Sequence, residues 1–418
     1  MLVALVACSN DVDPRVIAGG GVGDGEIDGE VNVFVIDGST DVPITNATVE
    51  VGAKQLMTDA TGLAVFKDVD GPQTITVKAT SYRSTVWVGV NGANVTIPMP
   101  PTSGTPDSAT LSGTISGWET LTVPNGHLKG ALVLYSWNNT LGSTANDIQT
   151  PNGTNLCIGQ TCNWTIESRT GSVTLLATIV DRDPKGNLDP ADDTQTIIGY
   201  AYKTGIIVEN GVDQTGLALT QVEPGNLQTA TIDKGMPPPA LTELAYLVGI
   251  ELSSNETAQI PTFISTDPTN LLVPNRTVFG TDAMYRLTAV AQTASGGMGA
   301  QSIVLRQGLT VPTLAAGTWL NTPTGVTVTR TTASWTPVAG ALVHSVAWAD
   351  ATGALLEITV WEDKRSSVEV PSLVALPATG TLTAHVQAIG ADLDPNDFSL
   401  EEDSGLLWGV SAQPMSIP

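Results

Sequence analysis

Short runs of alternating apolar and polar residues, separated by turn sequences, recur through most of this chain. In VNVFVI (residues 31–36) the valines fall on one face and the intervening residues on the other, which is the period-two pattern of a β-strand. Turn sequences follow at Asp37-Gly38, 59–62 and 70–72, at the spacing of a β-sandwich. Since the 418 residues include 42 glycines and 26 prolines, many short strands joined by turns are expected. The sequence predicts an all-β protein of tandem β-sandwich domains joined by Pro/Gly linkers.

Two proline-rich sequences mark joints between these domains. The first is PMPP (residues 98–101), followed by TSGTPDS, and the second is GMPPP (residues 235–239). Such sequences form stiff linkers rather than strands. We therefore expect a leader remnant with a Gly/Asp-rich tether over 1–30, a first sandwich over 31–100, a second sandwich with an acidic loop over 107–235, a third β-rich unit over 240–318 and a fourth sandwich over 320–418.

The start of the third unit fits two kinds of secondary structure. Leu241, Leu244 and Val248 have helical spacing. The alternation of apolar residues from Leu244 to Leu252 fits a strand better, and the later runs TAVAQTA and SIVLRQGLTV also have strand character. We predict a strand here, in a third β unit.

The first unit carries an ordered set of family features. The strings VFVIDGSTDVPITNATVEV, TDATGLAVFKDV and GPQTITVKATSYRS resemble the carboxypeptidase regulatory-like (transthyretin-like) domain. The resemblance implies a transthyretin-like sandwich with Phe66 in the core and Tyr82 capping it. It implies no catalysis, because this module accompanies enzymes and surface proteins alike. The matching positions are Pro43, Ala47, Val49, Thr58, Asp59, Gly62, Phe66, Val77, Ala79 and Tyr82.

The last hundred residues resemble another β-sandwich family. TPTGVTVTRTTASWTPVAGALVHSVAWAD and VEVPSLVALPATGTLTAHVQAIG resemble a fibronectin type III domain, an immunoglobulin-like sandwich. Thr383 stands where that family usually has tyrosine, so the usual tyrosine corner is missing. Trp335 and Trp348 are expected to anchor the core rather than to form a ligand platform.

The N-terminal sequence MLVALVACSN resembles a bacterial lipobox. The resemblance implies signal-peptide cleavage before Cys8, lipidation of that cysteine and, because Ser9 rather than Asp follows, sorting to the outer membrane. There is no basic region and the apolar stretch is short, so either the true start lies upstream or this is an ordinary apolar terminus. Six of the eleven residues over 19–29 are glycine, a composition that predicts a flexible tether. No apolar run reaches the roughly 20 residues of a spanning helix.

The two other cysteines stand in the string CIGQTC. Four residues with a central glycine separate Cys157 from Cys162, which permits a small disulfide-closed loop in an oxidising compartment. Free thiols and a metal site are the alternatives. A zinc site would need two further ligands, and His127, His344 and His385 are all distant in sequence from this pair.

The string DRDPKGNLDPADD (residues 181–193) contains five aspartates. It resembles the calcium loop of EF-hands and dockerins, with acidic or amide side chains at alternate positions and a central glycine. Lys185 stands where that pattern expects an oxygen ligand, and the flanking sequences have strand character. An acidic solvated loop is the alternative. The candidate ligands of a structural calcium ion are Asp181, Asp183, Asn187, Asp189 and Asp192.

Charge and missing motifs narrow the function. With 17 basic and 41 acidic residues, the net charge is −24, which repels nucleic acids and anionic lipid surfaces. The sequence lacks H-x-x-E, H-E-x-x-H, G-x-S-x-G and the phosphate-loop motif, so a hydrolase is disfavoured. His344 and His385 lie in alternating runs and are expected to be structural.

These observations predict a non-enzymatic, lipid-anchored protein of the bacterial outer membrane or cell surface. Its role would be adhesion or scaffolding, its partners the membrane and a protein or polysaccharide at the cell surface. The alternative is a carbohydrate-binding or enzyme-accessory protein that stacks sugars on aromatic loops around Trp118, Trp137 and Trp164. Exposed rings would favour the alternative, and buried rings would favour the scaffold.

Overall fold

The computed structural model describes ten stretches of the chain and confirms an all-β protein of tandem β-sandwiches. Apart from strands, the regular elements in these stretches are 3₁₀ turns at Trp118–Thr120, Pro224–Asn226, Arg276–Val278 and Ser372–Val374. The described residues are 15–102, 107–138, 156–186, 193–253, 256–260, 271–293, 299–311, 313–361, 364–400 and 407–417.

The first unit packs two sheets face to face. One has the strand order β1-β8-β2-β5 and the other β7-β6-β3-β4. Val31, Val33 and Val35 are fully buried between the sheets, as the alternation predicts. The strands are β1 (Gly21–Gly23), β2 (Asp28–Asp37), β3 (Thr48–Val51), β4 (Lys54–Met57), β5 (Leu63–Asp70), β6 (Gln73–Lys78), β7 (Ser84–Val90) and β8 (Asn94–Met99).

The proposed linker at residues 98–101 begins inside a strand. Pro98 belongs to β8 and lies opposite Ile36 of β2. On the other side of β8, pairing with β1 ends at Thr96. Proline is therefore tolerated at this position, because no β1 carbonyl there requires a backbone N–H donor.

The second unit is a seven-stranded sheet of order β12-β10-β14-β15-β16-β9-β13. The sheet curls until its edge strands β12 and β13 contact each other. It encloses a core that includes Trp118, Trp164 and Leu175. The strands of this sheet are β9 (Ser108–Ile115), β10 (Leu128–Tyr135), β12 (Leu156–Ile158), β13 (Asn163–Arg169), β14 (Gly171–Asp183), β15 (Thr194–Val208) and β16 (Gln214–Gln221), and the unit also contains the short strand β11 (Trp137–Asn138), which lies outside the sheet.

The third unit places strands β19-β18-β21-β22 against a small sheet, β20-β17-β23. The strand predicted near residue 244 is confirmed, with Val248 and Ile250 fully buried. The strand LQTATI (residues 227–232) falls within the range 107–235 that we predicted for the second unit, but it pairs with β20 and β23, because its alternating Ala230 and Ile232 fill the core of the third unit. The strands are β17 (Leu227–Asp233), β18 (Glu243–Ser253), β19 (Glu256–Ile260), β20 (Leu271–Pro274), β21 (Met284–Gln292), β22 (Gln301–Leu309) and β23 (Thr313–Ala315).

The fourth unit has a β24-β25-β28 sheet and a β31-β29-β26-β27 sheet, the two-sheet architecture that fibronectin type III domains share. Trp335 and Trp348 are buried in its core, as predicted. The strands are β24 (Thr324–Val328), β25 (Thr332–Thr336), β26 (Val343–Asp350), β27 (Gly353–Val360), β28 (Ser367–Glu369), β29 (Leu382–Ala391), β30 (Phe398–Ser399) and β31 (Leu407–Ile417).

Strand pairing joins the four units through shared β-sheets, so they are not separate domains connected only by linkers. Strand β7 of the first unit pairs in parallel with β27 of the fourth, β22 of the third pairs with β31 of the fourth, and β11 of the second pairs with β19 of the third. One thirteen-stranded sheet results. An ion pair between Arg83 and Glu357, with 2.7 Å between Nη2 and Oε2, crosses the first of these seams.

We expected residues 1–30 to form a flexible tether, but the glycine-rich part of this segment that the structure describes, residues 15–30, packs onto the first and fourth units. Strand β1 pairs with β8 on one side and with β30 of the fourth unit on the other. Val22 is 1% exposed. A β-carbon added to Gly21 would overlap the carbonyl oxygen of Phe398. The glycines here allow close packing, whereas composition alone indicated flexibility.

Candidate functional sites

The first two candidate ligands of the proposed calcium site, Asp181 and Asp183, lie on one face at the end of β14. His127 Nδ1 is 2.8 Å from an Asp181 carboxylate oxygen, and Nε2 is 3.8 Å from an oxygen of Asp183. Lys185 donates hydrogen bonds to Asp183 from its side chain at 2.7 Å and its backbone N–H at 2.9 Å. These bonds lower the pKa of the Asp183 carboxyl. Both carboxylates therefore already have partners from the protein.

The remaining candidate ligands, Asn187, Asp189 and Asp192, lie outside the described residues. Within the described ranges, no group of three or more His, Cys, Asp or Glu side chains is arranged to hold a metal ion. The flanking strands β14 and β15 pair up to Asp183 and Thr194, so the acidic sequence connects two paired antiparallel strands. Calcium binding by this loop stays a prediction.

Cys157 and Cys162 approach each other at the curled edge of the second unit. Their sulfur atoms lie at bonding distance and their Cα atoms are 5.1 Å apart, within the usual range of a disulfide. Cys157 is on β12 and Cys162 immediately precedes β13. Of the three alternatives considered for this pair, the geometry supports the disulfide.

Two of the tryptophans proposed to stack on sugars are core residues. Trp118 is 3% exposed and Trp164 is 1% exposed. The Trp118 indole N–H donates to the carbonyl of Gly159 at 3.1 Å, and the Lys129 ammonium covers its ring. The proposal of sugar stacking was therefore wrong for these two residues, because their rings fill the interior of the curled sheet. The side chain of Trp137 lies outside the described residues.

The histidines of the fourth unit have structural surroundings. His344 is fully buried, stacks on Trp335 with ring centroids 5.5 Å apart and accepts a hydrogen bond from the Val338 N–H at 3.3 Å. His385 lies on β29 between Ala347 and Pro414 of the neighbouring strands. This agrees with the structural roles we expected.

A cleft of about 480 Å³ opens at one end of the first unit, and the sequence analysis did not single it out. It lies between the loop that follows β2 and the turn that follows β6. Tyr82 lines it and donates a hydrogen bond to Asp37 Oδ2 at 2.8 Å. Burial, with help from this bond, raises the pKa of Tyr82 to about 12. Two loop sequences could have pointed to this cleft, because each follows a strand and contains several small polar residues: STDVPITN (residues 39–46) and ATSY (residues 79–82).

The proposed lipidation residue, Cys8, lies outside the described residues. In the described part of the chain, no helix is long and apolar enough to cross a membrane.

Comparisons with known proteins give no family. No family model matches the chain, and no curated protein matches it. Among solved structures, the Bacillus anthracis TIE protein is similar over 67% of this chain and 45% of its own, with 10% identity and a TM-score of 0.16. The chicken CNTN1 FN1-FN3 domains match over 63% and 83%, with 10% identity and a TM-score of 0.14. A tetra-tandem repeat from the extending region of a large adhesion protein matches over 93% and 99%, with 12% identity and a TM-score of 0.13.

Proposed function

We propose that this chain is a non-enzymatic bacterial cell-surface protein that serves adhesion or scaffolding and is held at the outer membrane by a lipid on Cys8. The observation that carries the proposal is the pairing of β7 with β27, which makes the first and last sandwiches parts of one sheet. Together with the β22–β31 and β11–β19 pairs, it gives a continuous hydrogen-bonded body. Such a body suits a protein that holds surface loops in fixed positions.

The N-terminal segment supports anchoring close to the membrane. The Ile17 N–H donates to Thr96 Oγ1 at 2.9 Å and β1 begins at Gly21, so the chain is fixed to the first unit at Ile17. Ile17 follows Cys8 by nine positions, so these two residues can be at most about 32 Å apart. A lipid on Cys8 would therefore keep the first and fourth units near the bilayer surface, whereas a free tether through residue 30 would have let them move further away.

The excess of acidic over basic residues limits which partners the protein can bind at the cell surface. A net charge of −24 disfavours nucleic acid and direct adhesion to anionic lipid. Protein and polysaccharide ligands remain, and so does the alternative of a carbohydrate-binding or enzyme-accessory role. That alternative is now favoured by the cleft beside Tyr82 rather than by the buried tryptophans.

The anchoring proposal is tested by expressing the gene with its own upstream sequence in a Gram-negative host fed with labelled palmitate. We expect the wild-type protein to carry the label and to fractionate with the outer membrane. Cys8→Ala should lose both the label and membrane retention. Ser9→Asp is the matched control, because it should keep the label but shift the protein to the inner membrane. Unchanged membrane retention of Cys8→Ala would overturn the proposal.

A further inference from the structure

The walls of the cleft beside Tyr82 are held in place by the protein itself. Asp37 accepts hydrogen bonds from the Ser39 and Thr40 N–H groups at 2.8 and 3.0 Å, which closes the loop after β2 into a tight turn. On the other wall, Asn46 has a φ of 57°, a left-handed conformation that asparagine tolerates better than most residues. A ligand entering this cleft meets surfaces that need little further ordering.

The cleft offers poor surroundings for charged ligands. None of its lining residues, all of which are described, is Lys, Arg or His, so an anion finds no countercharge. Its sole carboxylate, that of Asp37, already accepts from two backbone N–H groups and from the Tyr82 hydroxyl. Three of its roughly four acceptor sites are therefore occupied, which leaves little capacity to coordinate a cation.

Neutral hydrogen-bonding groups remain available. In the described part of the chain, the side chains of Thr40, Thr45, Asn46 and Thr80 make no hydrogen bond to the protein. Three hydroxyls and one amide therefore keep both donors and acceptors free. They stand beside the Tyr82 ring and the apolar surface of Val42, which is 59% exposed.

This combination matches one ligand chemistry. A sugar ring presents hydroxyls at its edge and a row of C–H groups on its face, so it pairs with free hydroxyl and amide groups beside an aromatic and aliphatic surface. The volume of about 480 Å³ lies within the range of small-ligand sites. We propose that the cleft lined by Thr40, Asn46, Thr80 and Tyr82 binds a neutral saccharide unit of a surface polysaccharide. The proposal rests on the proposed function for the cell-surface setting.

The test uses purified full-length protein, so its result does not depend on where the protein is located in the cell. Neutral oligosaccharides (cellohexaose, xylohexaose, maltohexaose, mannohexaose and chitohexaose) and the anionic probes sialyllactose and trigalacturonate are titrated by calorimetry and saturation-transfer NMR. We expect at least one neutral probe to bind with a dissociation constant of about 1 mM or tighter, and the anionic probes not to bind.

Variants then place the binding in the cleft. Asn46→Gly removes the amide while keeping a residue that accepts the 57° φ, and Thr80→Ala removes a hydroxyl. Each should weaken binding about threefold to tenfold, and Tyr82→Leu should abolish it, whereas Tyr82→Phe should retain most of it. Asp68→Gly is the matched control, because Asp68 has a φ of 53° but lies outside the cleft, and it should bind like wild type.

Three results would each overturn the proposal. The first is that no neutral probe binds at a probe concentration tenfold above the expected dissociation constant of about 1 mM, and the second is that the anionic probes bind as well as the neutral ones. The third is that the Asn46→Gly/Thr80→Ala double variant binds the neutral probe with unchanged affinity. Because Tyr82 also packs against the core, the conclusion depends on the two polar variants, whose melting temperatures are measured alongside. If the wild-type protein failed to take up labelled palmitate in the anchoring experiment, these binding results would still stand, because they are measured on purified protein.

Discussion

Trp87 of the first unit packs edge-on against Trp361 of the fourth, with ring centroids 5.3 Å apart and an interplanar angle of 68°. Phe398 completes the cluster, 4.5 Å from the Trp361 centroid and 6.2 Å from that of Trp87. The three side chains are 4%, 8% and 3% exposed, respectively. They belong to the core that the first-unit valines form. The first and last units thus share apolar burial as well as strand pairing.

Removing one ring of this cluster should loosen the junction. We expect Trp361→Ala to lower the free energy of unfolding by about 3–5 kcal/mol, the usual cost of a large-to-small change in a core. Because the lost contacts join two units, hydrogen exchange should accelerate in β2 and β5 of the first unit as well as in β27 of the fourth. Calorimetry and exchange mass spectrometry measure the two effects.

Trp335→Ala is the matched control for that prediction. Trp335 is similarly buried, at 4%, but it belongs to the core of the fourth unit, which includes Val86 and Val88 of β7 and no residue of β2 or β5. It should destabilise the protein by a similar amount while leaving exchange in the first-unit strands β2 and β5 unchanged. If Trp361→Ala gave the same exchange pattern as Trp335→Ala, the two units would not be coupled through this cluster.

The glycines of the N-terminal segment can be tested for close packing. Gly21→Ala should destabilise the protein by about 1–3 kcal/mol, because the new methyl group meets the Phe398 backbone. Gly225→Ala adds the same group where nothing lies within 4 Å, and it should be neutral within about 0.5 kcal/mol. Denaturant unfolding compares the two variants. Equal stability of both would mean that β1 does not pack as described.

Residue patterns predicted individual strands well and their partners poorly. Alternation identified β2 and β18 because burial of one face leaves its period in the sequence. The β7–β27 pair joins residues more than 260 positions apart, and no local pattern encodes such a pairing. Glycine was ambiguous for a physical reason: the lack of a side chain permits both flexibility and close approach. Only the three-dimensional position of Phe398 decides between these for Gly21.

The candidate sites divide in the same way. The acidic loop stands out because its aspartates are close in sequence. The cleft does not, because Asp37 and Tyr82 are 45 positions apart and meet only when β2 and β6 are folded. The sequence around Trp118 and Trp164 could not show whether these side chains are exposed or buried, since aromatic residues fill cores as readily as they line binding sites.

Burial of Tyr82, together with its hydrogen bond to Asp37, should make the stability of the fold depend on pH in the alkaline range. The pKa of Tyr82 is about 12 in the folded protein against an ordinary value of 10.0. A raised pKa contributes stability that is fully present below pH 10 and is lost as the pH rises towards 12, because the unfolded chain ionises first. Tyr82→Phe should be about 1 kcal/mol less stable at pH 7, and the difference should shrink between pH 10 and 12. Urea unfolding across this range measures it. Parallel pH profiles of the two proteins would contradict the prediction.

Substitution of Lys185 tests the calcium prediction, because its ammonium group forms an ion pair with an Asp183 carboxylate oxygen at 2.7 Å. We expect the wild-type loop to bind calcium with a dissociation constant of about 10⁻³ M, the weak end of the extracellular range. Lys185→Asn removes the competing charge, supplies an amide oxygen and suits the φ of 52° at this position. It should bind roughly tenfold more tightly, because removal of one repulsive charge at about 4 Å is worth between about 1 kcal/mol in water and about 4 kcal/mol near a protein surface.

Lys54→Asn is the control for this change, since it removes the same charge from β4 of the first unit and should leave calcium affinity unchanged. Calorimetric titration with calcium chloride measures all three proteins, and chelator should reverse any rise in melting temperature. The carboxylates of Asp181 and Asp183 already have protein partners, so a bound ion must replace those contacts with its own. If neither wild type nor Lys185→Asn bound calcium at about ten times the expected constant, the loop would be an acidic connection between β14 and β15 stabilised by His127 and Lys185 alone.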